Sequence, residues 1–133
     1  MAIKVSNVTV IDNNKNARLD GYIRAATYKG KTQTIATGSG AKSVNISTGD
    51  NVIMTLNGNT TFTITNLLSG YVNTITFKLT YSGGAYTVAW PTGTTWHRNV
   101  TPTSSSGGTA IYVLETYNNG TAWHGIEVWR SWA

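Results

Sequence analysis

The sequence contains no cysteine, so neither disulfides nor thiolate-bound metal can hold it together. It has only two histidines, His97 and His124, and its five carboxylates stand one at a time along the chain. A zinc centre takes at least three His, Cys or carboxylate ligands, and no close pairing of such residues occurs, so no metal is expected. No apolar run approaches the roughly 20 residues of a spanning helix. Met1-Ala2-Ile3-Lys4 opens without the apolar stretch of a signal peptide. No membrane association is expected. There is no Gly-x-Ser-x-Gly elbow, P-loop or dinucleotide fingerprint, and Gly38-Ser39-Gly40 is too short to cradle a phosphate. A glycosidase needs two carboxylates about 5–10 Å apart, and nothing in the spacing points to such a pair. The expectation is a protein that is not an enzyme and carries no cofactor.

The chain has 133 residues, enough for one domain with at most an appended arm. A chain of this size can bury roughly 68% of the surface its unfolded form exposes. Leu, Ile, Val and Phe are sparse, and five Trp and seven Tyr supply the bulk for a core. Thr, Asn and Gly are abundant. This composition suits strands joined by tight turns, because β-branched and aromatic side chains pack well on a pleated surface.

Charge is divided unevenly. Residues 1–42 carry seven basic side chains (Lys4, Lys15, Arg18, Arg24, Lys29, Lys31, Lys42) against Asp12 and Asp20, a balance of +5. The remainder, with Lys78, Arg98 and Arg130 against Asp50, Glu115 and Glu127, is neutral. Either the basic third faces an acidic partner or its charges keep an exposed arm soluble. Nucleic acid fits poorly as that partner, since the basic third holds only Tyr22 and Tyr28 as aromatics. Residues 1–41 therefore read as a basic docking arm, with Lys4, Lys15, Arg18, Arg24, Lys29 and Lys31 as its contacts. Within it Val8–Ile11 and Thr32–Thr37 read as short strands, and Gly38-Ser39-Gly40 as a hinge.

From Lys42 the pattern turns to period two, the sign of half-buried strands. Val52, Met54 and Leu56 share a face, and Asn57-Gly58-Asn59 predicts a hairpin turn. Tyr71 to Tyr81 predicts the longest strand, with Tyr71, Ile75, Phe77, Leu79 and Tyr81 inward. Ser82-Gly83-Gly84 turns the chain. Further strands are expected over Thr109–Tyr117 and Thr121–Trp129, joined through Asn118-Asn119-Gly120. Turn signals roughly every ten residues, without an amphipathic helical pattern, predict an all-β chain. The expected fold is an antiparallel β-sandwich or jelly-roll-like domain over 42–133 behind an irregular N-terminal arm.

The tryptophans read in two ways, as core or as a platform for a ligand or a subunit. Trp90 ends an alternating strand and is expected in the core. Trp96 beside His97 and Arg98, and Trp129 and Trp132 at the C-terminus, are the candidates for an oligomer contact or a ligand platform.

Residues 51–125 resemble a small β-domain of tailed-bacteriophage virion proteins. The resemblance is carried by an ordered series: Gly58-Asn59-Thr60-Thr61-Phe62-Thr63-Ile64, then Gly70 and the strand with Ile75, Phe77 and Leu79. After these come Thr87-Val88-Ala89-Trp90-Pro91, Trp96 and Pro102, Gly108 and Ile111, and finally Asn119-Gly120-Thr121-Ala122-Trp123-His124-Gly125. Val8-Thr9-Val10-Ile11-Asp12-Asn13 is similar in kind to phage fibre segments. The chain departs from the family at His97-Arg98-Asn99, where Pro-Gly-Gly is common. The resemblance implies a virion location, homotrimers in many members, and no shared catalytic residues. It implies capsid or other virion proteins as partners. The first expectation is a capsid decoration or cement protein that docks through its N-terminal arm. The alternative is a tail-fibre or receptor-binding module that recognises host-surface glycans.

Overall fold

The computed structural model describes residues 3–5, 8–11, 30–103 and 106–131. Lys15, Arg18, Arg24, Lys29 and Trp132 lie outside them, and Lys4 is placed only as the middle of the first strand. Strands β1 (Ile3–Val5) and β2 (Val8–Ile11) pair antiparallel. The main sheet is built from β3 (Thr32–Asn45), β4 (Asn51–Thr65), β5 (Asn73–Tyr81), β6 (Val88–Ala89), β7 (Thr94–Trp96), β8 (Thr109–Thr116) and β9 (Trp123–Arg130). Its order is β3-β4-β5-β8-β9-β7, with β6 set against β4. The fold is all-β, as expected, and no α-helix occurs among the described residues. The ladders are mixed: β5–β8–β9 are antiparallel, whereas β3–β4, β4–β5, β4–β6 and β7–β9 run parallel.

The sandwich-like layering follows from one long strand. Val52 of β4 pairs with Phe77 of β5, and Phe62 lies ten residues further along β4. A straight strand would carry Phe62 about 33 Å away at roughly 3.3 Å per residue. The rings of Phe62 and Phe77 are instead 5.0 Å apart. The second half of β4, with β3 beside it and β6 on its other edge, therefore bends over β5 and β8. Between the two layers lie Val44, Val52, Met54, Leu56, Phe62, Ile75, Phe77, Leu79, Ala110, Tyr112, Leu114 and Trp123, all almost fully buried. Trp90, expected in the core, packs against this cluster, its ring 5.3 Å from Phe77, 5.0 Å from Tyr112 and 5.2 Å from Trp96.

Three local expectations are corrected. Asn57-Gly58-Asn59 makes no hairpin, because β4 runs through it with the even-numbered residues Val52, Met54, Leu56, Thr60 and Phe62 kept inward. Gly58 serves close approach instead: a Cβ there would stand 2.7 Å from the Ser39 Cβ on β3. Asn59 Oδ1 accepts a hydrogen bond of 2.9 Å from the Thr87 N–H and so ties the approach to β6.

Gly38-Ser39-Gly40 is not a hinge but an irregularity inside β3, where the register against β4 shifts and Gly40 takes φ 74°. Across it the inward positions change from odd (Gln33, Ile35) to even (Lys42, Val44). The boundary expected at 41/42 thus falls within β3, and residues 32–41 are part of the sheet. Finally, Tyr71 is exposed and precedes β5, while Asn73 is the buried residue at its start. Asn73 accepts from Leu68 N–H (2.8 Å) and donates to the carbonyls of Leu68 (3.0 Å) and Tyr71 (3.1 Å), which closes the loop ahead of the strand. Alternation alone cannot tell where a strand leaves its sheet.

Candidate functional site

The outer face of β5, β8 and β9, turned away from the core, carries exposed apolar and polar side chains in register. The register sets them out in rows. Ile53, Lys78, Ile111 and Trp129 lie side by side across β4, β5, β8 and β9. Thr76, Val113 and Ile126 form the next row, and Thr74, Glu115, His124 and Thr95 the third, which reaches β7. The first two rows are largely apolar: Ile53 is 40% exposed, Ile126 43% and Trp129 50%. Soluble surfaces scatter such residues singly, so their alignment is the notable feature.

The third row opens into a cleft of about 430 Å³ beneath the turn His97–Asn99, with Val113, Gly125 and Ile126 as its floor and His97, Asn99, Thr95, Glu115 and His124 at its rim. Thr95 Oγ1 donates to the Trp123 carbonyl at 3.1 Å and lies 3.5 Å from His124 Nδ1. The Tyr117 hydroxyl donates to Glu115 Oε2 at 3.2 Å, and its ring meets the His124 ring edge-on at 6.2 Å. That hydrogen bond to the carboxylate raises the Tyr117 phenol above its ordinary range. The turn itself is strained. Arg98 (φ 58°) and Asn99 (φ 56°) are consecutive left-handed residues that are not glycine. Each such residue costs on the order of 1–2 kcal/mol unless its side chain compensates locally.

The inner face of β9 carries a polar group that sequence spacing hid. Three apart on a regular strand, Glu127 and Arg130 would face opposite ways. A register irregularity in β9 puts Glu127 opposite Tyr112 and Arg130 opposite Ala110, so both face inward. Arg130 grips Glu127 with two bonds of 2.7 Å and donates through Nη2 to the Thr103 carbonyl (2.8 Å) and the Tyr112 hydroxyl (3.0 Å). Tyr112 and Tyr81 share a hydroxyl–hydroxyl bond of 2.9 Å. Burial pushes both phenols up, Tyr112 further because its proton is also held by that bond. The bond to Glu127 raises the Arg130 guanidinium above its ordinary value.

The sequence-predicted site residues are dispersed by this arrangement. Trp96 is a core residue rather than a surface platform: it is 7% exposed and stacks edge-on to Trp90 and Tyr112, with one edge reaching the cleft. The position is possible because residue 125 is glycine. A Cβ there would stand 2.7 Å from the Trp96 ring. Arg98 is exposed at the crest of the turn, and Trp129 is half exposed on the outer face. Lys31 is exposed just ahead of β3, its carbonyl accepting the Asn51 N–H at 3.1 Å. Glu115, Tyr117, His124 and Asn99 were not singled out from the sequence as site residues, because only the β8–β9 and β9–β7 pairings bring them together. Among the described residues no three His, Cys, Asp or Glu are grouped so as to hold a metal ion. No family model matches the chain, and neither a curated protein nor a solved structure does.

Proposed function

We propose that the chain is a non-catalytic structural module of a tailed-bacteriophage particle, a decoration or cement protein seated on the capsid lattice. The observation that supports this reading is the apolar outer face with the row Ile53–Lys78–Ile111–Trp129. A second protein laid over this row gains about 25 cal/mol for each Å² of apolar surface withdrawn from water, while Lys78 in its midst selects an acidic neighbour. The +5 balance of residues 1–42 adds long-range attraction to the same kind of surface. The work of such a module is mechanical: it bridges neighbouring subunits and covers the seam between them.

Incorporation into particles tests the proposal. Trp129→Asp and Ile111→Asp place a carboxylate in the row without disturbing the inner face. Both variants should fold with wild-type spectra and fail to join particles that the wild type decorates stoichiometrically. Undiminished incorporation of both would remove the outer face from the account.

A further inference from the structure

The geometry points to a second function for the same molecule: the cleft under the His97–Asn99 turn is a binding site for an uncharged oligosaccharide. Its volume, about 430 Å³, falls in the usual range for small-ligand sites. Its floor and rim have the two-sided character of a sugar. Val113 and Ile126 offer an apolar floor for the C–H face of a pyranose. Tyr117, 66% exposed, does not line the cleft itself but touches two of its rim residues, the His124 ring and the Glu115 carboxyl group. Around that floor stand a carboxylate (Glu115), an amide (Asn99), a hydroxyl (Thr95) and two imidazoles (His97 and His124). Carboxylate, amide and hydroxyl groups accept and donate in the pattern that vicinal hydroxyls require, and a neutral imidazole adds one donor and one acceptor.

Charge narrows the class further. Among the described residues no Lys or Arg lines the cleft, and Glu115 is its one acidic side chain. A sialylated, sulfated or phosphorylated ligand would meet that carboxyl group without a Lys or Arg to offset it. A neutral hexose or N-acetylhexosamine chain would not. Glu115 Oε2 accepts from the Tyr117 hydroxyl and Oε1 from the Thr74 hydroxyl at 3.4 Å, so each carboxyl oxygen is held by one bond and keeps a lone pair for a ligand. Preorganisation of this kind reduces the ordering cost of binding. The left-handed pair Arg98–Asn99 forms the turn that puts Asn99 on the rim. Sites of this sort commonly hold such strain.

The full-length chain, immobilised, is screened against neutral hexose and N-acetylhexosamine oligosaccharides and against their sialylated and sulfated counterparts. Neutral members should be retained in preference to anionic ones. Tyr117→Ala and Glu115→Gln should each lower retention at least ten-fold while leaving the melting temperature within a few degrees of wild type. Trp129→Asp, two rows away, should leave retention unchanged even though it blocks particle incorporation, so the site and the docking face fail or succeed separately. The inference is overturned if no oligosaccharide is retained, if the anionic members are preferred, or if retention survives both cleft substitutions.

Discussion

Replacing Tyr112 by Phe removes one oxygen from the interior and leaves the ring's volume in place, so the change isolates the polar group. That oxygen accepts from the Arg130 guanidinium at 3.0 Å and shares the bond of 2.9 Å with the Tyr81 hydroxyl. A hydrogen bond to a charged donor contributes about 1.5–3 kcal/mol, and a buried hydroxyl left without its partner costs about 1–3 kcal/mol. The two effects overlap, since both act through one atom, and the expected loss for Tyr112→Phe is about 2–4 kcal/mol. Tyr81→Phe removes only the shared bond and should cost about 1–2 kcal/mol. The double variant should lose less than the sum of the two, because it leaves no phenol orphaned at that junction. Urea unfolding is the assay, with the midpoint shifting at an unchanged slope. A Tyr112→Phe variant as stable as wild type would refute the reasoning, as would singles whose losses add without coupling.

The same phenols set an alkaline limit. Their folded pKa values are raised by burial, so the stability they protect is fully present below the unfolded value of about 10 and is lost as pH rises above it. Urea midpoints measured from pH 8 upward should hold level and then fall beyond about pH 10, less steeply in the Tyr81→Phe/Tyr112→Phe double variant. Trp90→Ala empties the centre of the aromatic cluster and should cost about 3–5 kcal/mol; a variant that melts like wild type would show that the ring is dispensable. Gly125→Ala drives a methyl against Trp96 and should cost about 1–3 kcal/mol, read as a lower melting temperature and a changed tryptophan emission. The protein should sediment as a trimer of its 14.3 kDa chain; a monomer at micromolar concentration would contradict this.

Alternation made the inward rows legible in the sequence. Val52, Met54 and Leu56, and likewise Ile75, Phe77, Leu79 and Tyr81, are buried as their spacing predicts. The Asn118-Asn119-Gly120 turn was legible for the same local reason, since Asn119 (φ 57°) and Gly120 (φ 85°) both adopt the left-handed conformation that the β8–β9 connection requires. Partnership between strands was not legible. Asn57-Gly58-Asn59 has the composition of a hairpin turn, but its glycine answers to Ser39 on a neighbouring strand nineteen positions earlier in the chain. Trp96, beside the polar His97 and Arg98, read equally as core or as platform from the sequence. It is buried because Gly125, distant in sequence, leaves room for the ring. The cleft shared this fate: His124, Glu115 and Thr95 come from three strands, and only their register aligns them.

Imaging particles assembled in the presence of this chain, at a resolution that traces strands, tests the proposed decoration role most directly. Density for the β3-β4-β5-β8-β9-β7 sheet is expected at regular positions on the capsid lattice, with Ile53, Ile111 and Trp129 pressed against a capsid subunit. Particles that lack the chain, or that carry it with this face open to solvent, would contradict the claim.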